Sequence, residues 1–402
     1  MRVLMVSDVY FPRINGVSTA IQTCRETLAR EGIDLHLVAP DYGGESGGEA
    51  WISRVRGRPV PRDPEDRVLD WNELRRTVDA ALARGCDLVH VQTPFLAHYA
   101  AHGAARRHRL PVIATYHTLF EEYLQHYAPF VPAPWLRGMA RRFSRRQCNA
   151  LDAVVVPSQA IRRRLGEYGV TTPMHVLPTG IPLARFAAPG ETAPGERGKD
   201  RARIRADFRA AHGIGSERPV ALYVGRVAAE KNIDFLLEVA LLARQSIPEL
   251  LFVIAGEGPA LAGLREAVAA RGLAGNVSFL GYLDRNTELP ACYAAADAFV
   301  FASRTETQGL VLLEAMAAGL PVVALAVMGT VDILGARRGA LVPEDSPAAF
   351  ASALCLLLGD APLARRLGAE GRAWAAEWSD SALAARLAAL YREVVAGRRR
   401  EP

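Results

Sequence analysis

Apolar residues along this chain gather in short runs rather than long ones. They fall at 3–7, 35–39, 88–92, 112–116, 154–157 and 175–177, and again at 221–224, 251–255, 277–280, 299–302, 322–325 and 340–342. The runs are rich in Val, Ile and Leu, apolar at consecutive positions, and separated by helix-length stretches. Strands buried on both faces read this way, so the pattern predicts parallel sheets built from β-α units. Residues 187–219 interrupt the series. They are rich in Gly, Pro and charge, carry one helical piece around 204–212, and read as an interdomain linker. The expected fold class is therefore α/β, with two Rossmann-like doubly wound domains facing a central cleft at the carboxyl ends of their strands. Residues 1–186 make the first domain, 187–218 the linker and its helix, and 219–380 the second domain. Residues 381–402 carry an amphipathic C-terminal helix for which packing on either domain is open, a return to the first among them, and 42–66 form a surface excursion of the first domain.

Composition narrows the class without naming an activity. The chain has 402 residues, 50% hydrophobic and 23% charged, enough for two domains with ample cores and too apolar for whole-chain disorder. Basic residues number 48 against 43 acidic, a net charge of +5, and only Lys199 and Lys231 among them are lysine. A chain that writes arginine almost everywhere carries a compositional bias, so its positive charge is weak evidence for a nucleic-acid partner. The arginines are also not interleaved with aromatics on a recognised binding module. The five cysteines are scattered and never in CxxC spacing, which argues against a disulfide framework or a zinc site and for a reducing cytosol. No run reaches the roughly 18 apolar residues of a membrane span, and residues 1–8 lack the features of a signal peptide. The expected location is cytoplasmic, with the inner face of the plasma membrane as a possible docking surface.

Chemistry concentrates in the loops that follow the strands. After the first strand, Asn15-Gly16-Val17 leads into a long helix, where a glycine permits close backbone approach to an anion at the helix start. In the second half, Gly225-Arg226 ends a strand and Lys231 follows five residues later. A planar guanidinium and a compact ammonium on one loop suit a diphosphate. Gly256-Glu257-Gly258 mimics a dinucleotide fingerprint but has Leu261 where the third glycine belongs, so it reads as a glycine-rich turn near a nucleotide. The densest segment is Thr305-Glu306-Thr307-Gln308-Gly309-Leu310, followed by Glu314. Backbone N–H groups at Gly309 and Leu310 would face an anion, with carboxylates eight residues apart to hold hydroxyl-bearing groups on either side of it. Sugar, diphosphate and ribose in a row describe a nucleotide-sugar.

Glu306-x7-Glu314 with Gly309, together with Gly225-Arg226-x4-Lys231, resembles the retaining glycosyltransferases of family 4, which have the GT-B fold. The resemblance runs over nearly the whole chain and includes Asn15-Gly16-Val17, Tyr116-His117-Thr118, Val156-Pro157-Ser158 and Leu177-Pro178-Thr179-Gly180-Ile181. It implies that Arg226 and Lys231 grip the donor diphosphate, that Glu314 binds the ribose hydroxyls, and that Glu306 contacts the transferred sugar. The amides of Gly16, Gly309 and Leu310 would complete the phosphate cradle, with Val17, Gly256, Gly258, Thr307 and Gln308 also on the donor. His117 matches the family's histidine near the reacting sugar. Resemblance further implies front-face attack, with the leaving phosphate taking the acceptor proton and domain closure excluding water. No Asp-x-Asp occurs, so a metal-bridged diphosphate is unsupported, and neither a metal nor a cofactor beyond the donor is expected.

The Thr-Glu-Thr-Gln-Gly loop replaces the commoner Glu-Gly-Phe-Gly. With Tyr116-His117-Thr118 and Tyr123 it is similar to family members that glycosylate diacylglycerol or related lipids. An independent feature points the same way. Residues 135–146 place Leu136, Met139 and Phe143 on one expected helical face, with Arg137, Arg141, Arg142, Arg145 and Arg146 around the rest and Trp135 at the start. Such a helix suits an anionic membrane, each arginine contributing on the order of 1 kcal/mol, although an ordinary packed helix with solvated arginines fits the same pattern. The leading expectation is transfer of a hexose from a nucleotide diphosphate sugar, UDP-glucose or similar, to a lipid hydroxyl. The alternatives are a soluble or polysaccharide acceptor, a sugar-nucleotide epimerase or phosphorylase, and a non-catalytic sugar-nucleotide sensor at the membrane.

Overall fold

The computed structural model describes residues 1–13, 15–43, 49–60, 63–117, 133–186 and 197–398. The chain divides into two units, Met1–Gly180 with Asp380–Pro402, and Ile181–Ser379.

The first unit holds strands β1 (Arg2–Val6), β2 (Asp34–Pro40), β3 (Ile52–Val55), β4 (Gly57–Val60), β5 (Asp63–Leu69), β6 (Leu88–Val91), β7 (Val112–Thr115), β8 (Ala153–Val156) and β9 (Met174–Val176). Its helices are α1 (Gly16–Leu28), α2 (Trp71–Ala83), α3 (Leu96–His108), α4 (Ala133–Cys148) and α5 (Gln159–Glu167). Seven strands form one parallel sheet in the order β3-β2-β1-β6-β7-β8-β9. β6 and β8 are buried at every position, as strands covered on both faces must be. Within the excursion at 42–66, the described residues include sheet structure that composition does not suggest, since β3 extends the sheet and β4 pairs antiparallel with β5. Asp66 of that hairpin holds Arg13 at 3.0 Å, tying it to the loop after β1.

The second unit begins before the expected boundary at 186. It holds α6 (Leu183–Phe186), α7 (Arg197–Ala211), β10 (Val220–Val224), α8 (Ile233–Ala243), β11 (Leu251–Ala255), α9 (Leu261–Ala270), β12 (Val277–Gly281) and α10 (Glu288–Ala295). Then come β13 (Ala298–Phe301), α11 (Leu310–Ala317), β14 (Val322–Ala324), α12 (Thr330–Leu334), β15 (Ala340–Leu341), α13 (Pro347–Gly359) and α14 (Ala361–Ala376). Its parallel sheet runs β12-β11-β10-β13-β14-β15, the order of a dinucleotide-binding fold, with the strand order reversing at β10. Ile181 bridges to Ser379, and the buried Phe186 ring meets Tyr293 edge-on, which is why 181–186 belong here.

The described part of the expected linker is also integral to this unit. Arg209 on α7 is only 2% exposed, pairs with Asp297 at 2.9 Å, and donates to the carbonyls of Ala295, Gly215, Ser216 and Arg218. Arg205 reaches the other Asp297 oxygen at 2.7 Å. A buried guanidinium with its donors spent on carboxylate and carbonyls is a structural anchor.

The last helix, α15 (Asp380–Arg398), lies on the first unit. Leu387, Ala388, Leu390 and Tyr391 join the core of Val3, Met5 and Leu37, and Arg398 pairs with Asp152 at 3.2 Å. Tyr391 reaches the sheet interior, where its hydroxyl lies 2.7 Å from His90 Nδ1.

Candidate active site

In the second unit β10 pairs directly with β13, so the loops leaving their carboxyl ends are neighbours at the point where strand order reverses. The loop after β10 is held from below. Tyr223 Oη donates to the carbonyl of Arg226 at 3.1 Å, and Val227 N–H donates to Glu257 O at 2.8 Å. Gly256 and Gly258 are needed for this backbone contact. A Cβ on Gly256 would stand 1.9 Å from Gly225 O, and one on Gly258 would stand 2.3 Å from Val227 O. They shape the loop that carries Arg226.

Asn232 ends that loop in the left-handed region at φ 57° and donates to Ala302 O at 3.1 Å. Ser303 and Thr305 hydroxyls donate to Glu230 O at 3.4 and 3.3 Å, lacing the two loops together. Across this seam Lys231 Nζ lies 2.5 Å from Glu306 Oε1. Burial works against the ammonium, yet the adjacent Glu306 carboxylate raises the pKa of Lys231 above its ordinary value.

Gly309, at φ 97°, opens α11 without a side-chain cap, leaving its first N–H groups for other acceptors. A third loop supports Glu306: Gly329 N–H donates to Glu306 O at 2.8 Å, and a Cβ on Gly329 would stand 1.9 Å from Thr307 O. On α11, Glu314 is 2% exposed and doubly held. Arg285 Nη2 donates to its Oε1 at 2.6 Å and Tyr293 Oη to its Oε2 at 3.0 Å. Burial first, and then Glu314, push the Tyr293 phenol well above its usual pKa, so it stays protonated and donates. Thus Arg226, Lys231, Glu306, Thr307, Gln308, Gly309, Leu310 and Glu314 lie on two laced loops and the helix that follows. Arg285, Tyr293 and Gly329 join them although the sequence pattern did not single them out.

Gly16, Val17 and His117 belong to the first unit. Asn15 caps α1 by accepting from Ser18 N–H at 2.9 Å, and a Cβ on Gly16 would meet nothing within 4 Å. Asp8, buried after β1, accepts from Thr93 Oγ1 at 2.7 Å and from Ala97 N–H at 3.0 Å. Burial lifts its pKa to about 6 against these hydrogen bonds. His117 follows β7, and its Nε2 lies 2.9 Å from Gln92 Oε1. Burial lowers its pKa to about 4, so the imidazole is neutral at pH 7. Beneath it His90, lowered by burial and then by His117 to about 3, spans Tyr391 and Thr115.

The expected apolar face of α4 divides differently. Leu136 is 3% exposed and Ala140 and Ser144 are buried, an i, i+4 row that faces the protein; Ser144 Oγ lies 2.9 Å from Tyr116 Oη. Met139 is instead 58% exposed, Trp135 73%, and Phe143 half-buried. Arg137, Arg141 and Arg145 are exposed, with Arg141 over the Tyr168 ring at 5.6 Å. The outward apolar feature is therefore Trp135 with Met139, one turn apart. Tyr123 lies outside the described residues. No single helix among the described residues is long and apolar enough to cross a membrane.

Comparison with known proteins agrees with this architecture. Residues 14–185 match the model described as Glycosyltransferase Family 4, and 204–374 the model described as Glycosyl transferases group 1. Alpha-monoglucosyldiacylglycerol synthase of Streptococcus pneumoniae is 30% identical over 327 residues, 81% of this chain and 71% of that protein. The protein of the same description from Acholeplasma laidlawii is 28% identical over 329 residues, 80% of each chain. Among solved structures, sucrose-phosphate synthase from Thermosynechococcus elongatus superposes with a TM-score of 0.77 at 24% identity, covering 98% of this chain and 99% of its own.

Proposed function

The chain belongs to glycosyltransferase family 4, with its GT-B fold, and from that premise we propose that it is a retaining, metal-independent hexosyltransferase. Its donor is a nucleotide diphosphate sugar, UDP-glucose or similar, and its acceptor a hydroxyl of a membrane lipid such as diacylglycerol. The observation that carries the donor assignment is the Lys231–Glu306 pair across the two laced loops, beside an uncapped helix start. An ammonium, a guanidinium on the same loop and helix amides together supply preorganised positive potential for a leaving diphosphate, the largest electrostatic demand of such a reaction. Glu306 contacts the transferred sugar, and Glu314 the ribose hydroxyls.

In the proposed reaction the bond between the anomeric carbon and the β-phosphate oxygen breaks as the acceptor oxygen bonds to the same face. The acceptor proton passes to the leaving phosphate. His117, neutral at pH 7, serves the sugar as a hydrogen-bonding group rather than as a cation. The lipid acceptor rests on the relatives described as alpha-monoglucosyldiacylglycerol synthases, and on Trp135 and Met139 projecting among arginines. An aromatic and a flexible thioether flanked by arginines suit the interface of an anionic membrane, which makes the enzyme peripheral on its inner face. The test is a panel of UDP-glucose, UDP-galactose and GDP-mannose offered with vesicles containing diacylglycerol and with soluble sugars, read by mass spectrometry with and without a chelator. Label confined to a soluble product would overturn the lipid acceptor, and loss of turnover on chelation would overturn metal independence.

A further inference from the structure

Glu314 is nearly sealed from solvent and faces two donors from different elements. Arg285 comes from the loop after β12 and Tyr293 from α10, and each takes a different carboxylate oxygen, at 2.6 and 3.0 Å. A carboxylate buried on a helix would otherwise turn toward water, since an unpaired buried charge is costly. One oxygen pinned by a guanidinium and the other by a phenol that donates fix the plane of the group. Each oxygen then keeps a second lone-pair direction, the arrangement needed to accept two hydrogen bonds from a vicinal diol. Arg285 has further N–H groups, but its described contact is to the carboxylate.

We infer that Arg285 is a positioning residue for donor recognition: through its pair with Glu314 it holds the carboxylate oriented toward the two hydroxyls of the donor ribose. This rests on the nucleotide-sugar reading above and adds the residue that sets the ribose preference. Arg285 thus governs discrimination between a ribose and a deoxyribose nucleotide, a property that neither fold stability nor diphosphate affinity reports.

Isothermal titration of the full chain with uridine diphosphate and with its 2′-deoxy and 3′-deoxy analogues tests it, with the guanosine set in parallel. Wild type binds the ribonucleotide about tenfold or more tightly than either deoxy form, as expected for a lost hydrogen bond to a charged acceptor. Arg285→Met lowers that preference to about twofold or less while binding of the deoxy forms changes little. Tyr293→Phe narrows it in the same direction, and Arg285→Lys, which keeps the charge without the planar fork, falls between. Thermal melts accompany each variant, and the Lys and Phe variants decide the matter if the Met variant does not fold. An undiminished ribose preference in the folded variants, or an equal loss of affinity for all three nucleotides, would overturn the positioning role. Wild type that binds neither nucleotide set would overturn the donor reading together with it, whereas tight binding with no preference for ribose would overturn this inference alone.

Discussion

Lys231, on the loop after β10, meets Glu306, on the loop after β13, with 2.5 Å between Nζ and Oε1. In a chain with only two lysines, this position keeps a compact ammonium where arginine is otherwise the rule. The pair joins the cation and the carboxylate that the proposed donor must engage, so each residue should be separable from the fold. Lys231→Ala and Glu306→Ala are expected to lower kcat/KM by at least about tenfold, roughly 1.4 kcal/mol of transition-state stabilisation, with melting temperatures near wild type. Lys231→Arg is expected not to restore activity, because a planar fork does not reproduce a point charge in a half-buried pair. Wild-type kinetics in the alanine variants would refute the assignment.

Two classes of glycine should behave oppositely. Gly256 and Gly258 are at φ 141° and 158°, and their added Cβ atoms would strike backbone carbonyls, so either alanine substitution should unfold or strongly destabilise the second unit. Gly16 has open space at its Cβ, and Gly16→Ala should fold normally but lose turnover. Circular dichroism melts alongside donor turnover check both halves; an active, stable Gly256→Ala would contradict the first and a fully active Gly16→Ala the second.

Arg209 anchors what reads as linker. Its replacement by Met removes one of the two guanidinium partners of Asp297 and leaves several carbonyls without a donor, and should cost about 1–3 kcal/mol. Urea unfolding followed by hydrogen exchange in β10 and α10 reports this, and a loss below about 1 kcal/mol would show that the segment is not integral to the unit.

Acid should destabilise the first unit. His90, His98 and His117 have folded pKa values of about 3, 4 and 4, each lowered chiefly by burial from 6.5, and His36 is lowered in the same sense. Below pH 6.5 the unfolded chain takes up protons that these folded histidines refuse, so stability rises with pH between about 4 and 6.5. Asp8, raised to about 6, works in the opposite direction over the interval between its unfolded value of 3.8 and 6, but as one group against several. Denaturant midpoints from pH 4 to pH 8 should therefore climb with pH; a flat or falling series would contradict the buried neutral histidines.

Membrane attachment should depend on the outward residues of α4 alone. Trp135→Ser with Met139→Ser, or Arg137, Arg141 and Arg145 changed to Glu, should abolish flotation with anionic vesicles and leave turnover on a detergent-dispersed acceptor. Flotation unchanged in both variants would show that α4 is not the membrane-binding element.

The parallel strands were legible because burial on both faces leaves uninterrupted apolar runs, as at 88–91 and 220–224. The strands β3 to β5 were not, since partly exposed strands such as Gly57–Val60 lack that signature. Residues 187–219 read as a linker because charge and Gly/Pro composition dominate there, while the partner that anchors Arg209, Asp297, lies far along the chain. The same long separation hid Arg285, whose meaning depends on Glu314 arriving from another element. Spacing places Met139 on the apolar face of α4, but the buried row that packs on the unit runs through Leu136, Ala140 and Ser144. The Glu306-x7-Glu314 pattern was legible because a single strand–loop–helix passage carries both carboxylates.

A single-turnover reaction of the purified chain with UDP-glucose and diacylglycerol vesicles, with the product examined by proton NMR at its anomeric position, tests the proposed transfer most directly. Proposed retaining transfer predicts an α-linked glucosyl lipid formed in step with released uridine diphosphate. A β-linked product, or tight donor binding with no transfer to any lipid or soluble acceptor, would contradict it.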